Sequence, residues 1–506
     1  MASRVYSAIT FGVESVLVEV EADVLLAGLH NFAIVGLPDV ATKESRDRVS
    51  AALKNSGFKP PHQCGRVTVN LAPADLPKNT PIYDVPIAIA FLLATEQISF
   101  RTERKIFIGE LSLDGSTRKV QGVLPIALFA KENGFEEIYV PEENAEEAAL
   151  VEGITVIPVK NLFSLAKHLT GKLSITPCQK QEISFETVEE QGDFDMAHIA
   201  GQEHAKRALE IAAAGGHNIL FIGPPGSGKT LLAKTLPTIL PRLDMEESLE
   251  ITKIFSVAGR LPKGLGLVKK RPFRSPHHTA SAVALVGGGT FPRPGEISLA
   301  HRGVLFLDEF AEFSRTVLEN LRQPLEDGEI TVSRAKGSLY FPARFMLVAA
   351  MNPCPCGHSG DPERLCACLP HQVVRYRQKI SGPILDRIDL HVDVPRVKIE
   401  KLEKKSTGAE ASMSIRERVE RARAFQKKRF ASPKTNAEMT SQLVKEHCAL
   451  NEEARLLLRA AVTQLALSAR AYTRVLKVAR TIADLSSAEH IEVPHVAEAL
   501  QYRFKE

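Results

Sequence analysis

The residues with the clearest capacity for chemistry form one short run, Gly-Pro-Pro-Gly-Ser-Gly-Lys-Thr at positions 223–230. Glycines let backbone N–H groups close around phosphate oxygens, and a helix that follows such a loop offers them its positive end. In this pattern Lys229 would reach the β and γ phosphates, and the hydroxyl of Thr230 would hold Mg²⁺. The apolar residues 219–222 predict a buried strand and residues 231–236 predict a helix, which favours a phosphate-binding loop over a plain glycine turn. The residues assigned to nucleotide binding are Gly223, Pro224, Pro225, Gly226, Ser227, Gly228, Lys229 and Thr230.

A pair of carboxylates follows a second apolar run downstream of this loop. Asp308 and Glu309 come directly after residues 304–307, Val-Leu-Phe-Leu, which predict another buried strand. Asp308 would complete the Mg²⁺ site, and Glu309 would polarise the attacking water. Asn352 ends the next predicted strand, 345–351, where its side chain could help to orient that water. Together with the loop, these residues predict an ATPase that uses Mg²⁺.

Two arginines are candidates for contact with the γ-phosphate. Arg387 lies in the run Ser-Gly-Pro-Ile-Leu-Asp-Arg-Ile-Asp and is a candidate arginine finger that reaches into a neighbouring subunit. Arg474, in Tyr-Thr-Arg-Val-Leu, could contact the same phosphate from a C-terminal helix. For each arginine, a solvated or ion-paired surface position remains an equal alternative.

The elements that must position these residues fall into four regions. Residues 1–175 mix short β-branched runs with helical stretches and predict a compact α+β domain. Apolar periodicity fades and acidic residues accumulate over 176–195, which predicts a linker. Residues 196–400 alternate strand and helix patterns around the phosphate-binding loop, and residues 401–506 predict a helical C-terminal domain.

Composition narrows the class of protein without deciding its partner. With 44% hydrophobic and 25% charged residues, the 506-residue chain resembles an ordinary globular protein of several domains. The net charge of +4 is too small to indicate nucleic acid, and seven cysteines do not suggest a disulfide framework. The longest apolar stretch, 85–94, contains a proline and is too short to span a bilayer. We therefore expect a cytoplasmic protein without a membrane partner.

Four cysteines, at positions 354, 356, 366 and 368, lie close together in the sequence after Asn352. Four thiolates in this pattern could bind one tetrahedral Zn²⁺, with His358 or His371 able to replace a ligand. The one-residue spacing within each pair is tighter than in most structural zinc sites. Unliganded thiols and redox pairing remain alternatives, although disulfides are disfavoured in a reducing compartment. The predicted zinc ligands are Cys354, Cys356, Cys366 and Cys368.

The motifs together resemble the AAA+ ATPases of the magnesium-chelatase/MCM branch. The runs Ser-Pro-His-His-Thr (275–279), Met-Asn-Pro-Cys-Pro-Cys-Gly (351–357) and Ser-Gly-Pro-Ile-Leu-Asp-Arg-Ile-Asp-Leu (381–390) are similar, more narrowly, to the ComM/YifB family of bacterial Mg-chelatase-like proteins. The resemblance implies an α/β fold: a AAA+ P-loop NTPase core, a Lon-protease-like (ribosomal S5 domain 2-like) α+β domain at the N-terminus, and a helical lid of Mg-chelatase C-terminal type. It also implies a hexameric DNA motor that drives branch migration during homologous recombination in natural transformation. In that family scheme Asn352 is sensor 1, Arg387 the finger acting in trans, and Arg474 sensor 2.

The same resemblance assigns candidate DNA contacts. The turn Arg334-Ala335-Lys336-Gly337 matches the pre-sensor hairpin of this branch, whose tip lysine points into the ring pore. Arg274, in a basic run before the carboxylate pair, is a second candidate pore contact. Residues 414–434 hold eight Lys or Arg against two Glu, a net charge of +6 that would attract backbone phosphates. A solvated basic face is the alternative for this segment.

The N-terminal region resembles the Lon-type protease fold but lacks its catalytic pair. That fold needs a nucleophilic serine and a lysine base. Where they are expected, this chain has Ile87 and Leu124, which can neither attack nor accept a proton. We therefore expect a noncatalytic ring scaffold or DNA platform rather than a protease. The residues Asn79-Thr80 depart from the glycine common at that position among relatives, so the shape of that loop is left open.

Three functions from different classes compete. The first is an ATP-driven homo-hexameric helicase or branch-migration motor acting on single-stranded and forked DNA. The second is a chelatase-like remodelling ATPase that acts on a protein partner without DNA. The third, an ATP-dependent protease, is disfavoured by Ile87 and Leu124.

Overall fold

The computed structural model describes most of the chain. The described residues are 3–25, 31–35, 40–73, 80–179, 194–262, 266–289, 292–334, 337–361, 363–397, 410–465 and 467–503. They pack into two compact units. One contains residues 1–185, 245–269 and 333–341, and the other contains residues 186–244, 270–332 and 342–506.

The first unit is built on a seven-stranded mixed sheet. Its strands, in spatial order, are Asn31–Val35, Arg66–Ala72, Glu14–Leu25, Ser3–Phe11, Lys105–Phe107, Glu137–Pro141 and Thr155–Val159. Its α-helices are Val40–Asn55, Asp84–Ala94, Val123–Glu132, Ala145–Ala148, Leu162–Leu169 and Met245–Val257. Short 3₁₀ turns cover Pro61–Gln63, Pro81–Tyr83 and Glu142–Asn144, and a small ribbon pairs Glu110–Leu111 with Thr117–Arg118.

The apolar stretch 85–94 is a core helix of this unit. Residues 85–92 are all buried, which explains why the helix is apolar on every side. Ile87 and Leu124 both lie in the hydrophobic core, with 1% and 0% of their surface exposed. Among the described helices, none combines the length and apolar character that crossing a bilayer requires.

The helix Met245–Val257 packs with the first unit although it follows the phosphate-binding loop in sequence. The backbone N–H of Gly122 donates to the carbonyl of Ser256 at 3.2 Å, and the Ser256 hydroxyl donates to Glu147. The predicted domain boundaries treat 196–400 as one continuous region. Packing instead assigns 245–269 and 333–341 to the first unit, because side-chain partners and not chain order decide where a segment is buried.

The second unit is built on a five-stranded sheet whose paired strands are all parallel. In spatial order the strands are Phe273–Arg274, Val304–Leu307, Met346–Met351, Ile219–Ile222 and Leu390–Asp393. Val304–Leu307 and Met346–Met351 are buried at every position, as expected of parallel strands covered on both faces. The carboxyl ends of these strands meet at one edge of the sheet, where ligands bind in folds of this kind.

Helices cover this sheet and form the C-terminal region. The α-helices are Glu203–Gly215, Lys229–Ile239, Ala282–Val286, Glu296–Leu299, Arg315–Glu319, Arg322–Asp327, Pro370–Arg377, Gly382–Leu385, Ser412–Phe430, Ser441–His447, Glu452–Gln464, Ala469–Leu485 and Val493–Gln501. Short 3₁₀ turns cover Met196–His198, Phe310–Glu312 and Asn436–Glu438, and a small ribbon pairs Gly287–Gly288 with Arg293–Pro294. The predicted C-terminal helices are confirmed, with the longest at Ser412–Phe430.

One predicted helix is divided. The sequence pattern predicts a continuous helix over 314–325, but the structure has Arg315–Glu319 followed by Arg322–Asp327. Pro324 explains the break, because it has no N–H to donate to the carbonyl of Asn320.

The predicted hairpin after this region is present. Its strands Glu329–Arg334 and Gly337–Pro342 pair in a two-stranded sheet.

Candidate nucleotide-binding site

The phosphate-binding loop connects the strand Ile219–Ile222 to the helix Lys229–Ile239. Gly226 and Gly228 have φ of +76° and +92°, a region that favours glycine, so the backbone can turn its N–H groups inward. The Lys229 ammonium is buried and donates to the carbonyls of Gly223 at 2.7 Å and Pro224 at 2.9 Å. Burial lowers the pKa of Lys229, and the charge of Asp308 opposes that effect.

Thr230 and Asp308 lie together, as a shared Mg²⁺ site requires. The Thr230 hydroxyl donates to a carboxylate oxygen of Asp308 at 2.8 Å, although 78 positions separate the two residues. The backbone N–H of Glu309 donates to the other Asp308 oxygen at 2.9 Å. Hydroxyl and carboxylate oxygens are the ligands that Mg²⁺ prefers, so the donor set fits this ion.

Asn352 lies beside the phosphate-binding loop. It follows the strand Met346–Met351, which pairs with Ile219–Ile222, and its Oδ1 is 3.4 Å from the Lys229 ammonium. This places an amide next to the lysine that is predicted to contact phosphate. The sheet register brings the two together, since Met351 pairs with Ile222.

Glu309 has a partner that sequence reasoning missed. His278 Nδ1 lies 3.0 Å from Glu309 Oε2. Glu309 also has φ of +51°, which is uncommon for a residue with a side chain and is concentrated at functional sites. The His277-His278 pair was visible in the sequence only as part of a family motif. Without a structure, no signal connected it to the carboxylates thirty positions downstream.

Arg474 reaches the sheet from the helix Ala469–Leu485. Its Nε is 3.5 Å from Asp389, and burial lowers the pKa of the guanidinium while the charge of Asp389 opposes this. His217 Nδ1 is 3.0 Å from the other Asp389 oxygen. Burial raises the pKa of Asp389, but the hydrogen bond and charge of His217 and the charge of Arg474 outweigh it, so the pKa lies below its ordinary value.

Arg387 is engaged within its own chain. Its guanidinium is buried, donates to the carbonyl of Pro383 at 2.5 Å, and pairs with Glu326. A role in a neighbouring subunit would require this arginine to exchange the Glu326 contact for phosphate.

Of the candidate DNA contacts Arg274, Arg334 and Lys336, the structure describes the side-chain surroundings of Arg274 only. Arg274 donates to both carboxylate oxygens of Glu296, at 2.6 and 2.9 Å, so it would have to leave that pair to bind DNA. Lys336 lies outside the described residues, and so does the side chain of Arg334.

The basic segment 414–434 divides into two sets of side chains. One set supports the helical region internally; its members Arg416, Arg418, Arg423 and Arg429 bond to Thr238, Glu210, Ala213 and Asp484. The other set is exposed and consists of Arg421, Lys427, Lys428 and Lys434. The sequence analysis counts all eight basic residues as one basic face. Four of them instead hold helices together, because a long arginine side chain can span from one helix to polar groups of another.

The four cysteines after Asn352 converge. Their sulfur atoms all lie within 4.8 Å of one another, and the separations from Cys354 to Cys356 and Cys366 are 3.4 and 3.7 Å. Four thiolates around one tetrahedral Zn²⁺ at about 2.3 Å would be separated by about 3.8 Å, so the arrangement fits a single ion. The separations are far longer than the roughly 2.05 Å of a disulfide. His358 instead faces Asp361, with its Nδ1 3.2 Å from the carboxylate.

Comparison with known proteins identifies related sequences over almost the whole chain. Three family models match: the ChlI subunit of Mg-chelatase over residues 19–144, magnesium chelatase subunit ChlI over 195–402, and its C-terminal part over 409–503. The chain is 45% identical to the competence protein ComM of Haemophilus influenzae, over 99% of this chain and 97% of that protein. It is 43% identical to YifB of Escherichia coli, over 99% of this chain and 97% of that protein.

A more distant relative shares only part of the chain. The magnesium-chelatase 38 kDa subunit of Rhodobacter capsulatus is 27% identical over 32% of this chain and 50% of that protein. The full-length similarity to ComM and YifB is therefore the more specific finding. The chain belongs to the ComM/YifB family of magnesium-chelatase-like AAA+ proteins.

Proposed function

We propose that this protein is a cytoplasmic ATPase that hydrolyses ATP with Mg²⁺ and uses the energy to move or unwind DNA. The observation that carries the ATPase part is the convergence of Lys229, Asn352, Thr230 and Asp308 at one edge of the parallel sheet. Lys229 and Thr230 begin one helix, and Asp308 and Asn352 follow two strands, so together they match the parts that phosphoryl transfer requires.

Each side chain has a distinct task in hydrolysis. When ATP binds, the Lys229 ammonium leaves the carbonyls of Gly223 and Pro224 and contacts the β and γ phosphates. The buried positive charge therefore remains paired. Thr230 and Asp308 hold Mg²⁺, which neutralises charge on the phosphates. Glu309 accepts the proton of the attacking water, and Asn352 orients that water.

The assignment of DNA as the substrate rests on two supports. The relative from Haemophilus influenzae is named a competence protein, and the family resemblance implies branch migration by a homo-hexamer in natural transformation. Arg421, Lys427, Lys428 and Lys434 are exposed and have the charge to contact phosphates of single-stranded or forked DNA.

A remodelling ATPase that acts on a protein partner is the second candidate. It is favoured by the match to the ChlI subunit models and by the similarity to a magnesium-chelatase subunit. In that case the AAA+ core would work as proposed, and DNA would have no effect on it.

The ATPase rate with and without forked DNA, at two salt concentrations, separates these candidates. A DNA motor should be stimulated by DNA, and the stimulation should weaken at high salt because counterions then compete for the phosphates. A Lys229→Ala variant provides the control that the measured hydrolysis comes from this site. A rate that is indifferent to single-stranded and forked DNA at low salt would reject the DNA motor in favour of the remodelling ATPase.

The proposal also includes a Zn²⁺ ion at Cys354, Cys356, Cys366 and Cys368. The sulfur separations suit four thiolates around one ion, and the backbone N–H of Ser359 donates to the Cys354 sulfur at 3.3 Å. Metal analysis of the purified protein should find about one zinc per chain.

A further inference from the structure

The second half of the loop that carries the four cysteines has little apolar packing to hold it in shape, whereas Cys354 in the first half is buried. Residues 363–367 are all exposed, and Leu365 has 96% of its surface accessible. Even so, the sulfurs of Cys366 and Cys368 meet those of Cys354 and Cys356. Polar contacts such as that of Arg396 with Glu363 at 3.7 Å help to hold this segment, and an ion bound by the four sulfurs would add free energy for closing the loop.

The closed loop lies directly against the phosphate-binding loop. Gly357, in the turn between the cysteines, has φ of +83°, and a Cβ atom at this position would lie 2.6 Å from Cδ of Pro225. The same Cβ would lie 3.9 Å from Cγ of Asn352. A glycine is therefore required here by the close approach as well as by the backbone angle.

A second connection runs through a buried carboxylate. Asp361, whose side chain is 0% exposed, lies 3.1 Å from Arg396 Nε and also faces His358. Next to Arg396, the carbonyl of Pro395 accepts a hydrogen bond of 2.6 Å from Gln202.

Gln202 completes this connection, because its side-chain amide also lies 3.3 Å from the carbonyl of Ser227 in the phosphate-binding loop. The cysteine loop thus reaches the nucleotide site on two sides. One contact is at Pro225, and the other passes through the chain at 395–396.

We infer that a single tetrahedral ion, bound by the four thiolates, closes residues 354–368 into a brace that holds the phosphate-binding loop and Asn352 in position for ATP. The inference rests on the zinc site proposed above and adds a role for it. The brace positions the loop that binds phosphate and does not itself contact the reacting atoms. Loss of the ion should therefore weaken ATP binding before it unfolds the protein.

A pair of glycine variants tests the brace without touching a metal ligand. Gly357→Ala and Gly360→Ala add the same methyl group at nearly the same backbone angle, with φ of +83° and +79°. The methyl at position 357 would meet Pro225, whereas no atom lies within 4 Å of a Cβ at Gly360. Gly357→Ala should keep its zinc and bind a fluorescent ATP analogue about tenfold more weakly, since displacements of the order of 1 Å in a site have effects of this size or larger. Gly360→Ala should match the wild type in both measurements. Equal affinities for the two variants would overturn the brace.

A double variant, Cys366→Ser with Cys368→Ser, tests the contribution of the ion. Its matched control is Cys64→Ser with Cys178→Ser, which changes two half-buried cysteines outside the cluster. The cluster variant should lose zinc and bind the ATP analogue more weakly, and the control should retain both properties. Loss of zinc with unchanged affinity would overturn the brace and leave the zinc site intact. The zinc site would instead be overturned if the wild-type protein contained no zinc, or if it contained iron, which its visible absorption would reveal. In that case the two glycine variants would still test the contact between the loops.

Discussion

Glu309 and Asp308 are neighbours in sequence, but their surroundings give them different chemistry. Asp308 accepts hydrogen bonds from the Thr230 hydroxyl and from the backbone, which suits an oxygen ligand for Mg²⁺. The Glu309 carboxylate faces His278 at 3.0 Å. We expect the imidazole to hold this carboxylate in the direction from which it can act on water.

Replacement of His278 by alanine should therefore slow hydrolysis without weakening ATP binding. The expected reduction in kcat is roughly ten- to hundredfold, which is typical when the partner that orients a reacting group is removed. His277→Ala is the comparison variant: its ring packs on His278 with centroids 4.2 Å apart and its Nδ1 meets the Thr279 hydroxyl, whereas the contact with Glu309 belongs to His278. Steady-state kinetics and binding of an ATP analogue provide the measurements. If His278→Ala hydrolyses ATP as fast as the wild type does, His278 does not position Glu309.

Glu309→Gln provides the reference for that experiment. It should bind ATP normally and hydrolyse it more slowly by about 10²–10⁴-fold, because the group that accepts the proton is lost while Asp308 remains. A normal turnover rate in this variant would remove Glu309 from its assigned role.

The helix Ala469–Leu485 is joined to the sheet by buried polar contacts. Arg474 approaches Asp389, and Thr481 bonds to His217 Nε2 at 2.8 Å. His217 in turn contacts Asp389, so one carboxylate connects the helix with the loop before the strand Ile219–Ile222. These contacts place Arg474 beside the residues that precede the parallel strands Ile219–Ile222 and Leu390–Asp393, whereas the phosphate-binding loop follows Ile222 at the opposite end.

Asp389→Asn should destabilise the protein by about 3 kcal/mol, because it leaves Arg474 buried without its counter-charge. The folded-state pKa of Asp389 lies below its ordinary value, so the carboxylate contributes its full stability at neutral pH. That contribution is lost as the pH falls below the ordinary value and through the folded pKa. Denaturant unfolding at neutral and acid pH should therefore show the difference between wild type and variant shrinking in acid. Asp393→Asn, at the exposed end of the same strand, should show little change at either pH.

Two of the predicted roles need more than one chain. Arg387 would act in a neighbouring subunit, and Lys336 would act in the pore of a ring. Both depend on the proposed hexamer, and both can be tested with variants that leave the phosphate-binding loop intact.

Arg387→Ala should lose hydrolysis but keep ATP binding, and mixing it with Lys229→Ala should restore part of the activity. In a mixed ring, an Arg387→Ala subunit keeps its phosphate-binding loop, and a Lys229→Ala neighbour can still offer Arg387 to it. Interfaces of that kind then hold both groups that hydrolysis needs. Glu326→Gln is the control, because it breaks the same ion pair and leaves the guanidinium in place. Absence of recovery in mixed rings whose assembly is confirmed would count against a site shared between subunits.

Lys336→Ala should keep basal ATPase activity and assembly while losing DNA unwinding and DNA stimulation. A translocating ring needs a charge at the pore to grip phosphates, and its removal should also flatten the salt dependence of DNA binding. Lys445→Ala, at an exposed position of the helix Ser441–His447 that is not among the proposed DNA contacts, shows the effect of removing one surface charge elsewhere. Unwinding by Lys336→Ala at the wild-type rate would reject the pore assignment.

Local patterns were sufficient to predict the fold class and which residues converge at the candidate nucleotide site. The phosphate-binding loop is contiguous, and its chemistry depends on backbone angles that Gly226 and Gly228 allow. Asp308 and Asn352 follow apolar strands, and parallel strands deliver their carboxyl ends to one edge of a sheet. The sequence itself therefore determined which residues meet there.

The partners of individual polar side chains were decided only by the tertiary structure. Nothing local connects His278 to Glu309 or Gly357 to Pro225, and the pairing of Arg387 with Glu326 is equally invisible in the sequence. The same holds for the helix Met245–Val257, which packs with the first unit. Hydrophobic periodicity shows that a face is buried, but it carries no information about which distant segment covers that face. That choice depends on the packing of the whole chain, because a polar side chain bonds to whichever group the completed core brings within reach.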